Sequence, residues 1–82
     1  MRLPRDLSGD ELVLRLEKFG YHITRQRGSH IRLSRVTHEG THHLTIPRHN
    51  PLRVGTLNGI LNDVASHLGM SKDELLAQLF QS

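Results

Sequence analysis

Histidine 30 follows Gly28 and Ser29 and stands among four arginines in the segment RQRGSHIRLSR, residues 25–35. Histidine exchanges a proton near neutral pH, because its unperturbed pKa is about 6.5. Arginine stays cationic, and its planar fork suits phosphate groups. Gly28 lets an anion approach the backbone closely, and the Ser29 hydroxyl is a hydrogen-bond donor. The segment therefore combines proton transfer with anion binding.

The positive charge of the chain is concentrated around this segment. The 82 residues carry a formal net charge of +3, but residues 21–55 alone carry +5. The cations of that stretch are all arginines, and Glu39 is its one acid; the arginines are Arg25, Arg27, Arg32, Arg35, Arg48 and Arg53. We interpret this stretch as the anion-binding surface. A solvated basic face without a ligand is the alternative.

Other chemistries fit the residues less well. The chain has no cysteine, which excludes a disulfide framework and a thiolate nucleophile. A zinc site is disfavoured because His42 and His43 are neighbours on a predicted strand and point to opposite faces. A serine triad would need Ser29 or Ser34 beside His30 and an acid placed to orient the histidine. RNA cleavage needs fewer catalytic groups from the protein, because the ribose 2′-hydroxyl is the nucleophile. The alternative is that His30 is an exposed strand histidine that binds nothing.

The elements that position these residues form one small domain over residues 1–82. A helix is predicted over residues 8–19, with a capping box of Ser8 and Glu11. Alternation predicts strands at YHITRQR, SHIRLSRV and HHLTI, residues 21–27, 29–36 and 42–46. Residues 47–55 are predicted as a loop, 56–68 as a helix, and a second capping box of Ser71 and Glu74 opens a last helix.

The predicted order αβββαα indicates an α+β protein with three antiparallel strands. The apolar strand residues Ile31, Leu33, Leu44 and Ile46 should face the helices. The other face should then be lined by His22, His30, Arg32, His43 and Thr45. A polar second face is ordinary for an antiparallel sheet, but one rich in arginine and histidine is not.

Three linked motifs resemble the HicA toxins of HicA/HicB toxin–antitoxin modules. They are LEKFGY at residues 16–21, GSHIRLSR at 28–35 and LTIPRHNPLRVGTLNGIL at 44–61. The resemblance implies a double-stranded RNA-binding-domain-like fold, αβββα with an additional C-terminal helix and all helices on one face. It implies metal-independent cleavage of mRNA without a cofactor, and a HicB-like antitoxin partner. The family's catalytic histidine corresponds to His30, its P-x-H to residues 47–49 and its G-T-L to residues 55–57.

The expected substrate contacts follow from the arginines and the motifs. We expect Gly28, Ser29 and four arginines to hold RNA phosphates, the arginines being Arg25, Arg27, Arg32 and Arg48. His49 is either a second proton-transfer group or substrate contact, or a structural residue of its loop. What the segment 71–82 does stays open. With no signal-like or membrane-spanning apolar run, we expect a cytoplasmic protein. We also expect the free protein to be a monomer.

Two other classes of function compete with the nuclease. ILNDVASHLGMSKDELLAQL, residues 60–79, also fits a helix-turn-helix, which would make the protein a non-catalytic nucleic-acid-binding module. Against this, Asp73 and Glu74 would repel DNA from the start of the recognition helix. The third class is an interaction protein whose basic sheet docks an acidic partner. It differs from the toxin only in that it does not cut RNA.

Overall fold

The computed structural model describes residues 3–80 and opens with a capped helix. Helix α1 spans Gly9–Leu16, and the backbone N–H of Glu11 donates to the Ser8 hydroxyl at 3.1 Å. A short 3₁₀ turn, Glu17–Phe19, completes the predicted segment, and Gly20 ends it with a left-handed backbone. The predicted capping box is confirmed at its Ser8 side, and the helix lies where it was expected.

Three antiparallel strands follow in the order β1-β2-β3, with β1 at His22–Arg27, β2 at His30–Thr37 and β3 at Gly40–Pro47. The β1–β2 hairpin turns at Gly28 and Ser29, and Gly28 has a φ of +57°. A glycine with positive φ at the first of two loop positions is the pattern of a type II′ turn. The turn therefore accounts for Gly28 whether or not a ligand approaches it.

A β-bulge in β1 decides which way its arginines point. Strict alternation from Tyr21 and Ile23 would turn Arg25 and Arg27 toward the helices. The register shifts between Ile23 and Arg25, so that Arg25 lies opposite Arg32 and Arg27 lies opposite His30. An extra residue in one strand moves all later side chains to the other face. Both arginines consequently join the solvent-exposed face of the sheet.

Two further helices cover the other face. Helix α2 spans Val54–Leu68, two residues earlier than predicted, and ends at the left-handed Gly69. Helix α3 spans Lys72–Phe80, and the N–H of Glu74 donates to the Ser71 hydroxyl at 3.1 Å, as the second capping box predicts. The arrangement is the expected α+β fold, αβββα with a third helix added.

One hydrophobic core joins the sheet to all three helices. The predicted apolar strand residues are buried, with Leu33 and Ile46 fully so. Helix α3 contributes Leu75, Leu76 and Leu79, each at most 1% exposed. The Arg15 side chain of α1 donates to the carbonyl of Leu79 at 2.7 Å and lies over the Phe80 ring. Of the roles open for the last helix, which are core cover, antitoxin contact and dimerisation, residues 72–80 perform the first.

Candidate functional site

The exposed face of the sheet carries an open cleft of about 270 Å³. Its lining comes from all three strands and consists of Arg25, Arg27, His30, Arg32, His43 and Thr45. Three of these side chains are permanently cationic, two are imidazoles, and none of the lining residues is an acid. We call this feature the basic cleft. Alternation predicted that His30, Arg32, His43 and Thr45 lie on this face. Arg25 and Arg27 join them only because of the bulge in β1.

Two permanently charged arginines lie directly opposite each other across β1 and β2. Arg25 is paired with Arg32, and Arg27 with His30. Across residues 3–80, the three arginine side chains make no hydrogen bond or ion pair. Directly opposed like charges destabilise a sheet by roughly 0.2–1 kcal/mol per pair. A bound anion would relieve this repulsion, so the arrangement favours a polyanionic ligand.

His30 lies at the start of β2, immediately after the hairpin turn. Its side chain is exposed, with Arg27 opposite on one side and Pro47 opposite on the other. Gly28 and Ser29 precede it at the end of the cleft without lining it. The Ser29 carbonyl accepts a 2.6 Å hydrogen bond from the backbone N–H of Arg48, which holds the turn against the end of β3.

Arg48 and His49 lie against α1 instead of in the basic cleft. The Arg48 guanidinium donates two hydrogen bonds to the Asp10 carboxylate, at 3.0 and 3.2 Å. The His49 carbonyl accepts from the N–H of Gly9 at 2.9 Å, while its side chain is exposed. A Cβ on Gly9 would lie 2.0 Å from the Pro47 carbonyl oxygen, so only glycine fits there. The structure therefore does not bring Arg48 and His49 into the basic cleft with Arg25, Arg27, Arg32 and His30.

His43 of the basic cleft is paired with a buried serine that does not itself line the cleft. A serine triad would need Ser29 or Ser34 beside His30, but the register places Ser34 opposite His43. The Ser34 hydroxyl lies 2.7 Å from Nδ1 of His43. Alternation alone had put both residues on this face; their pairing depends on the β2–β3 register, which no local signal specifies. Ser34 is only 4% exposed, so it cannot itself attack a substrate.

A second histidine cluster lies on the helix side of the sheet. His42 points away from His43, as adjacent strand residues must, and stacks on His67 with 4.1 Å between ring centroids. Burial raises the pKa of Tyr21 to about 12, so its hydroxyl keeps its proton, and the hydroxyl oxygen lies 2.8 Å from Nδ1 of His42. Nε2 of His42 lies 3.1 Å from the Asp63 carboxylate. This chain joins the sheet to α2.

Arg35 completes the cluster from β2. It donates to the Phe19 carbonyl at 2.6 Å, and its terminal nitrogen lies 3.2 Å from Nε2 of His67. Burial lowers the pKa of His67, and the neighbouring His42 and Arg35 lower it further. These contacts account for Arg35 as a structural cation. Within residues 3–80, no three His, Asp or Glu side chains are grouped so that they could hold a metal ion.

The last two helices do not expose a reading surface of the helix-turn-helix kind. Three leucines of α3 are buried in the core, and its first turn carries Asp73 and Glu74. Lys72 instead donates a hydrogen bond to the side chain of Asn58, which links α3 to α2. In the described part of the chain, no helix is both long and apolar enough to cross a membrane.

The fold and the cleft define a small α+β protein with a cationic, titratable sheet face. Comparison with protein families is consistent with this description: the model described as HicA toxin of bacterial toxin–antitoxin matches residues 9–65. The match covers more than half of the chain, from the start of α1 into α2 and including the whole sheet. The chain belongs to the HicA family, the toxins of toxin–antitoxin systems. Searches of curated proteins and of solved structures returned no match.

Proposed function

We propose that this toxin is an endoribonuclease that cleaves mRNA without a metal ion, with His30 as a general acid or base. The observation that carries the proposal is the basic cleft itself. His30 lies there beside three arginines that have no acidic partner among residues 3–80, and no acid lines the cleft. A polyanion with an internal nucleophile is the substrate that such a surface suits. RNA has both properties, since its 2′-hydroxyl lies next to every phosphodiester.

Each step of RNA cleavage has a candidate group in the cleft. The 2′-oxygen attacks phosphorus, the 5′-oxygen leaves, and the products are a 2′,3′-cyclic phosphate and a 5′-hydroxyl. A histidine takes the proton or returns it, which is worth roughly 10² to 10⁴ in rate. Arg25, Arg27 and Arg32 bind the phosphate and stabilise the charge that builds up on its oxygens.

Gly28, Ser29, Arg48 and His49 are proposed as outer contacts. The turn that contains Ser29 is exposed and adjoins His30, so its hydroxyl is available to a phosphate next to the reacting one. The exposed ring of His49 is available to a flanking nucleotide. Arg48 would have to leave Asp10 to take part, which makes it the weakest candidate of the set.

The positive charge of the basic cleft also indicates what binds to it. A surface that binds RNA through phosphates and 2′-hydroxyls reads little sequence, so we expect weak sequence specificity. A HicB-like antitoxin would inhibit the toxin by covering the basic cleft. We further propose that residues 1–82 act as one HicA-like domain, monomeric when free and active in the cytoplasm. The single core that runs from Leu7 to Leu79 supports the first of these points.

The decisive experiment incubates the purified protein with RNA in the presence of EDTA. Wild type should cut the RNA, and His30→Ala should keep its thermal unfolding midpoint but lose cleavage. An oligonucleotide with 2′-deoxyribose at the cut site should bind and stay intact, because it lacks the nucleophile. Cleavage that stops in EDTA, or a His30→Ala variant as active as wild type, contradicts the proposal.

A further inference from the structure

A chain of three hydrogen bonds holds His43 in the basic cleft. Nδ1 of His43 lies 2.7 Å from the Ser34 hydroxyl, and that hydroxyl lies 2.9 Å from the hydroxyl of Thr24. Thr24 in turn donates to the backbone carbonyl of Arg32 at 3.4 Å. Ser34 is the buried polar side chain of the described core, and its one role visible in the structure is to join these two neighbours.

The direction of the chain determines which nitrogen of His43 carries the proton. A carbonyl oxygen only accepts, and the Thr24 hydroxyl lies 3.4 Å from the carbonyl of Arg32, so we assign the single hydroxyl proton of Thr24 to this contact. With this assignment Thr24 accepts from Ser34, and Ser34, having used its own proton, accepts from Nδ1–H of His43. In the neutral ring this leaves the lone pair on Nε2. Within residues 3–80 that nitrogen has no hydrogen-bond partner.

His43 and His30 stand at opposite ends of the same cleft. His43 is opposite Ser34, which is four positions along β2 from His30, a separation of about 13 Å between backbone positions. Arg32 and Thr45 form the pair between them. Two imidazoles on either side of a guanidinium match the needs of in-line displacement at phosphorus, where the attacking and leaving oxygens lie on opposite sides.

We propose that His43 is the general base of the cleavage reaction and His30 the general acid, an inference that rests on the proposed nuclease function. Nε2 of His43 takes the proton of the 2′-hydroxyl as the 2′-oxygen–phosphorus bond forms. The phosphorus–5′-oxygen bond breaks, and protonated His30 gives its proton to the leaving 5′-oxygen. Arg32 holds the phosphate between them. Ser34 is a positioning residue, because it acts only by fixing the ring of His43.

The first test compares single variants on an oligoribonucleotide. His43→Gln should lower kcat by roughly 10² to 10⁴ and remove one limb of a bell-shaped dependence of kcat on pH. Ser34→Ala should lower kcat less and keep both limbs, because the imidazole remains. His22→Gln is the matched control: this exposed histidine lies on the same face but outside the cleft, and its kcat should equal that of wild type. Thermal unfolding checks that each variant is folded.

The second test assigns the two roles with a substrate whose 5′-bridging oxygen is replaced by sulfur. A thiolate leaves without a proton, so this substrate does not need the general acid. His30→Ala should cleave it at close to the wild-type rate, whereas His43→Gln should stay slow. The opposite pattern overturns the assignment.

The two proposals fail in different ways. If wild type cuts RNA, His30→Ala does not, and His43→Gln keeps the wild-type kcat and pH profile, then the role of His43 is refuted and the nuclease stands. If wild type does not cut RNA, the nuclease proposal fails and the role of His43 fails with it. Imidazole ¹⁵N spectra provide an independent check, since Nδ1–H is expected for His43, and an Nε2–H tautomer contradicts the hydrogen-bond direction.

Discussion

Removing one of the two opposed arginines should affect the free protein and its RNA complex in opposite directions. Arg25 and Arg32 lie directly opposite each other, with Cα atoms about 5 Å apart as in any such pair. Arg25→Gln should therefore raise the free energy of unfolding by about 0.2–1 kcal/mol at low salt. At 1 M salt the Debye length is about 3 Å, so the gain should vanish.

RNA binding should weaken in the same variant by an amount that depends on salt. Each phosphate contact contributes about 0.7 to the slope of log K against log salt on a single strand. Three arginines in the basic cleft thus predict a slope of about −2 for the parent protein and a slope smaller by about 0.7 for Arg25→Gln. The assay is fluorescence anisotropy with a labelled oligoribonucleotide, with all proteins in the His30→Ala background so that RNA is not consumed.

Arg48→Gln is the comparison variant. It removes an arginine that is bonded to Asp10 and is proposed only as an outer contact, so it should lose up to about 1 kcal/mol of stability and reduce the salt slope less than Arg25→Gln does. If Arg25→Gln is less stable than wild type at low salt and binds with an unchanged slope, the reasoning about opposed charges is refuted. If Arg48→Gln instead shows the smaller slope, the phosphate contact expected from the sequence is real and Arg48 leaves Asp10 on binding.

Three further predictions concern stability. Gly9→Ala should cost about 1–3 kcal/mol in urea unfolding, because its Cβ would overlap the Pro47 carbonyl; equal stability would contradict that close contact. Leu79→Ala should cost about 2–5 kcal/mol and the exposed Gln78→Ala less than about 0.5, whereas two equally small changes would mean that α3 is not part of the core. Burial, His42 and Arg35 lower the pKa of His67 in the folded state, while Asp63 and Glu39 act in the opposite direction, so the unfolded chain binds more protons as pH falls below about 6.5. Between pH 7.5 and pH 5.5 the free energy of unfolding of wild type should thus fall more than that of His67→Gln. Parallel pH dependences of the two proteins would show that this pKa shift does not affect stability.

Most of the secondary structure could be predicted because its signals are local. Serine and glutamate three residues apart predicted both capped helix starts, and both serines accept the expected backbone N–H. Period-two alternation predicted the strands and the face on which His30, Arg32 and His43 lie. The start of α2 was placed two residues late, because Arg53 at its N-cap makes no side-chain capping bond that would mark the position.

The sequence predicted the chemical character of the candidate site, but not all of the residues that form it. His30 and Arg32 follow from the motif and the alternation. Arg48 follows β3 and its backbone adjoins the turn at Ser29, yet its side chain pairs with Asp10 of α1, a contact that no local pattern signals. His43 entered the sequence analysis as one residue of a polar face, and its link to Ser34 depends on which residues two strands place opposite each other.

By itself, the sequence determined the order of helices and strands, the two faces of the sheet and a histidine among arginines, because capping, alternation and charge act over a few neighbouring residues. Only the tertiary structure decided that Arg25 and Arg27 join His30, since one bulged residue reverses the direction of every side chain after it. It also decided that Arg48 is paired with α1, that α3 completes the core, and that Ser34 holds His43. Each of these depends on pairing or packing between segments distant in the chain, where register and contact are selected by the whole fold.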